Sequence, residues 1–68
     1  MNVLVEMTAL TLSRPTAEAG DIERAAWYEA KANLHTYLAG QGGSDAARET
    51  ALAVSAHRRS LELLRRQN

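Results

Sequence analysis

Sixty-eight residues limit the chain to one small domain, and a domain of this size buries only about 60% of the surface its unfolded chain exposes. Eight Lys and Arg balance eight Asp and Glu, which argues against a polyanion-coating protein, and the absence of Cys excludes a disulfide framework and a Cys-based zinc site. Thirteen of the apolar residues are Ala, each bringing little area to bury, so the core is thin and the missing stability is expected from a partner or from self-association.

Residues 1–14 form an N-terminal segment. Val3, Val5, Met7 and Ala9 alternate at period two, while Val3, Met7 and Leu10 also fit a helical spacing. The periodicity does not separate the two states, and the segment is expected to be extended or disordered. It has no basic n-region and Glu6 interrupts its apolar run, so no secretory signal is expected. No stretch approaches the ~18 apolar residues of a membrane span, no membrane is expected among the partners, and the cytoplasm is the default location.

Residues 15–68 read as an all-α, antiparallel two-helix hairpin, completed by a partner or by a homodimer. The first helix begins between Pro15 and Asp21: Pro15 suits an opening turn that Ser13 or Thr16 can cap, and Asp21 offers a second start as N-cap with Glu23 in the first turn, where a carboxylate favours the helix dipole. From Asp21 to Ala39 there is neither Pro nor Gly. Ile22, Ala26, Ala30, Asn33, Tyr37, Glu23, Trp27, Leu34 and Leu38 fall within an arc of about 160° on that helix. Tyr28 lies off the arc and is the aromatic most available to a partner. Gly40 is the expected C′ residue, and the turn is placed at residues 40–43.

Ser44-Asp45 caps a second helix running to about Arg66. Ala47, Thr50, Val54, His57, Leu61 and Leu64 follow spacings of 3, 4, 3, 4 and 3, the pattern of a seam against an antiparallel neighbour. Leu52, Ala56 and Leu63, with Ser60 between them, form a second stripe that one neighbour cannot also cover. Together with Tyr28 they are the candidate partner-binding residues. Arg58, Arg59, Arg65 and Arg66 gather near the helix end, where cations complement the dipole and Glu62 can pair with Arg58 or Arg66.

No constellation for catalysis, cofactor or metal emerges, and the chain is not read as an enzyme. His35 and His57 stand on different helices with no third ligand three or four residues away. Glu23 and Glu29 are six apart and about 120° from each other on a helix, so they do not form a carboxylate pair. The serines have no adjacent base, and Gly40, Gly42 and Gly43 lack the Lys-Ser/Thr of a phosphate loop.

The run Met7-Thr8-Ala9-Leu10, the polar lead-in, the two long helices and the turn Gly42-Gly43-Ser44-Asp45-Ala46 resemble the small hairpin co-chaperones of bacterial type III secretion needle subunits. The resemblance covers most of the chain from Met7 onward. It implies a cytoplasmic interaction module whose hairpin joins a tetratricopeptide-like chaperone to keep a needle subunit soluble, with the Leu52, Ala56, Leu63 stripe as a contact for the chaperone. The alternative is a ribbon-helix-helix dimeric DNA-binding repressor or antitoxin, which also runs strand, helix, helix. Its reading face would be Leu4, Glu6, Thr8 and Leu10. Glu6 repels phosphate and Leu offers no hydrogen bond to base edges, so nucleic acid is the less favoured partner.

Overall fold

The computed structural model describes residues 1–66. They form three helices: α1 (Val3–Leu12), α2 (Asp21–Gly40) and α3 (Ala46–Arg65). The all-helical architecture and the α2–α3 hairpin follow the sequence expectation. The N-terminal segment does not: it is neither extended nor disordered but a 10-residue helix. The Asn2 side chain accepts the Val5 amide at 3.1 Å, satisfying one of the donors a helix start leaves open. At the other end the Ser13 amide and hydroxyl both donate to the Ala9 carbonyl, at 2.9 and 2.7 Å.

α2 opens with Gly20 in the N-cap position, so Asp21 is its first helical residue rather than its cap. The helix also runs through Gly40. The reversal falls at Gly42 and Gly43, with φ of 79° and 89°, backbone angles that a side chain disfavours and glycine adopts freely.

The contact between α2 and α3 is made by small residues. Ala25, Ala32 and Ala39 recur every seven residues on α2, and Ala46, Ala53 and Ser60 do so on α3. Ala25, Ala32, Ala53, Ala56 and Ser60 are all buried. The Ser60 hydroxyl donates to the Ala25 main-chain carbonyl at 2.9 Å, which requires the two backbones to run close together. Small side chains permit that approach, and dispersion across the close contact replaces part of the area that larger residues would bury. Leu63 is the largest fully buried side chain.

Three polar side-chain pairs hold the two helices in antiparallel register. His35 Nδ1 meets Glu49 near the turn at 2.5 Å, His57 Nδ1 meets Glu29 midway at 2.9 Å, and Arg66 Nε meets Asp21 at the open end at 3.3 Å. α1 lies on the other side of α2 and, among the described residues, does not touch α3. Val3, Glu6 and Leu10, spaced three and four apart, are its half-buried helical positions, and no residue of α1 is fully buried.

Candidate interaction surface

The two stripes predicted on the second helix are exchanged in the structure. Ala47, Thr50, Val54, His57, Leu61 and Leu64, expected to form the intrachain seam, are all exposed. Leu63 and Ala56, expected to face a partner, are buried against α2, and Leu52 is half-buried. Tyr28 is half-buried too, its ring edge-on to Trp27 with centroids 5.1 Å apart. As the chain is folded here, Ala56 and Leu63 belong to its interior, while Leu52 and Tyr28 keep part of their surface accessible. The physical reason is steric: Val54, Leu61 and Leu64 would hold two helix axes apart, whereas the Ala and Ser row lets them close.

The α2 arc is rolled in the same sense. Ile22, Ala26, Ala30 and Asn33, assigned to the apolar arc, are exposed, while Ala25, Ala32 and half-buried His35 turn toward α3. Trp27, Leu34 and Leu38 lie on the opposite side of the helix, that of α1. Trp27 is the anchor for α1: its indole N–H donates to the Leu10 carbonyl at 2.9 Å, one of the acceptors left open where that helix ends. The Arg14 guanidinium and the Lys31 ammonium lie 5.7 and 5.6 Å from the indole centroid, in cation–π range.

Two apolar surfaces result. The first is the front of the hairpin, a groove running between α2 and α3. One stretch of it is lined by Ala32, Asn33, Thr36, Ala53 and Val54, with a volume of about 300 Å³, and another by Ile22, Ala26, Leu61 and Leu64. Ile22 is 64% exposed, Val54 50%, Leu61 46% and Leu64 43%. The His57–Glu29 pair borders both stretches and sits midway along the front. The second surface is the outer side of α1, where Leu4, Val5, Thr8 and Leu12 form an exposed row with Leu4 at 77% and Leu12 at 82%. α1 carries a single charged residue, Glu6. A helix this apolar all round is ordinarily covered.

The arginines divide into two groups. Arg59 pairs with Glu62 at 3.4 Å and Arg66 with Asp21, so Glu62 takes neither of the partners expected for it. Arg58 and Arg65, both exposed, make no ion pair among the described residues, and neither does Glu23 on α2. Among the described residues no three His, Asp or Glu side chains converge as a metal site would require, and no helix is long and apolar enough to cross a membrane.

The seven-residue recurrence of Ala25, Ala32 and Ala39 and of Ala46, Ala53 and Ser60 is the sequence signal that would have located the true seam. No protein-family model, curated protein or solved structure matches the chain.

Proposed function

We propose that this chain is a helical interaction module that works by laying exposed apolar rows against other helices. One observation carries the reading: large aliphatic side chains lie outside, on the hairpin front and on α1, while the buried core holds four alanines and only two leucines, Leu34 and Leu63. Contiguous apolar surface of this kind on a small protein marks an association site, and a thin alanine core gives the chain a reason to gain stability from association. The resemblance to needle-subunit co-chaperones points to the same class of role. It makes a tetratricopeptide-like chaperone and a needle subunit the first partners to assay. The ribbon-helix-helix alternative would need a strand over residues that fold as α1.

The test is affinity purification of the full chain from its native host. Three forms are compared: wild type, a Leu4→Asp/Leu12→Asp variant and a Leu61→Asp/Leu64→Asp variant. The module reading expects at least one variant to lose proteins that the wild type recovers, with helix content preserved by circular dichroism. Recovery of the same proteins by all three forms contradicts it.

A further inference from the structure

We infer that the hairpin front is occupied by a second copy of this chain, forming a twofold four-helix bundle in which α2 of each copy lies over α3 of the other. The inference rests on the interaction-module reading and deepens it by naming the occupant of one surface; the outer row of α1 is left for a different partner.

Three observations choose a second copy. The front is long enough: two helices of 20 residues each, side by side, present a face of about 30 by 20 Å. That is about 600 Å² before surface relief is counted, close to the ~800 Å² that each partner contributes to a stable interface. The spacing is right on both helices. Ile22, Ala26, Glu29 and Asn33 advance by 4, 3 and 4 residues, and Val54, His57, Leu61 and Leu64 by 3, 4 and 3. This is the repeat of helices that pack side by side.

The charges then select the arrangement. α2 carries three acidic and two basic side chains, whereas α3 carries four basic and two acidic ones. A twofold axis parallel to the helices and over the groove puts each α2 on the partner's oppositely charged α3, with both turns at the same end. An axis across the helices would instead put each α3 on its own like-charged copy.

In the chosen arrangement Ile22 covers Leu61 and Leu64 of the opposite copy, and every neighbouring helix pair is antiparallel. Glu23 comes beside Arg65 and Arg58 of the opposite copy, three exposed charges that make no ion pair among the described residues. The His57–Glu29 pair meets its twofold mate at the middle of the interface. A polar layer there would fix the register, because any slip sets the Glu29 carboxylate and the His57 imidazole against apolar side chains.

Sedimentation equilibrium on the full chain, from low micromolar to sub-millimolar concentration, tests this. The wild type should pass from a 7.4 kDa monomer to a species of twice that mass. Leu61→Asp should remove the dimer. Glu23→Arg alone and Arg65→Glu alone should each weaken dimerisation about tenfold or more, since each turns both Glu23–Arg65 attractions of the dimer into repulsions, and an equimolar mixture of the two, which restores both, should bind more tightly than either variant alone. Helix content measured on the same samples separates these effects from unfolding.

A wild type that stays monomeric throughout, a dimer indifferent to Leu61→Asp, or a mixture no tighter than its components overturns the proposal. None of these results touches the module reading if the α1 variant still loses its partners in the purification. Recovery of the same proteins by the wild type and both variants sinks the module reading whatever the sedimentation shows.

Discussion

Ser60 on α3 donates its hydroxyl to the main-chain carbonyl of Ala25 on α2 at 2.9 Å, and both residues are 2% exposed. A side chain reaching a neighbouring helix's backbone at that distance sets the separation of the two helices. The alanines above and below, Ala32 and Ala53 among them, keep that separation along the seam. Val54, Leu61 and Leu64 of α3 are turned outward as a direct result, and the interaction surface is thus a consequence of how the hairpin closes.

If close approach is what holds the hairpin, enlarging the seam should harm it. Ala53→Leu inserts three heavy atoms where Ala53 is 7% exposed and should lower stability by about 1–3 kcal/mol. Ser60→Ala removes one hydroxyl, keeps the seam small and should cost about 1 kcal/mol. Urea denaturation of both variants checks the order; a better tolerated Ala53→Leu would contradict the close-packed seam.

Leu63→Ala and Leu61→Ala make the same chemical change two residues apart, with Leu63 fully buried and Leu61 46% exposed. The first should cost about 2–5 kcal/mol and the second under about 1 kcal/mol within the single chain. Melts at concentrations dilute enough to hold both as monomers measure the difference. Equal losses would mean that α3 faces α2 with a different side.

Much of the architecture was legible in the sequence. Unbroken helix-forming runs flanking Gly42 and Gly43 identified α2, α3 and their reversal, because propensity and glycine punctuation act locally. α1 was missed, since Val3, Val5, Met7 and Ala9 match a strand as well as Val3, Met7 and Leu10 match a helix; the Asn2 cap that decides for helix is a single residue. The seam was assigned to the wrong side of α3 because hydrophobic periodicity weights Val54, Leu61 and Leu64 above Ala53 and Ala56. Inside one hairpin, the closeness that Ala allows outweighs the area that Leu brings. His35–Glu49 and His57–Glu29 join residues 14 and 28 positions apart, pairings that only the folded register reveals.

Trp27 ties α1 to the hairpin through one hydrogen bond to Leu10 and the packing of its ring. Trp27→Phe keeps most of the ring and removes the donor, leaving the Leu10 carbonyl to water at a cost of about 1 kcal/mol. Amide exchange should rise across Val3–Leu12 and stay unchanged in the α2–α3 seam. Uniform acceleration over all three helices would contradict the placement of α1 as a separately docked element.

At the turn, Gly43→Ala adds a methyl group into open space but at a φ of 89°. The penalty is conformational alone, about 1–2 kcal/mol, and should appear as a lower denaturation midpoint with an unchanged slope against urea. A neutral effect would show that the reversal uses another backbone path.

Ala56 and Leu63 face inward within one chain, and in the proposed dimer Val54, Leu61 and Leu64 face the other copy. Isotope-filtered NOE spectroscopy on an equimolar mixture of methyl-labelled and unlabelled chains reads this directly, because it reports only contacts between copies. Intermolecular NOEs are expected to the methyl groups of Val54, Leu61 and Leu64, and none to those of Ala56 and Leu63. Intermolecular NOEs at Ala56 and Leu63, or at no methyl group at all, would contradict it.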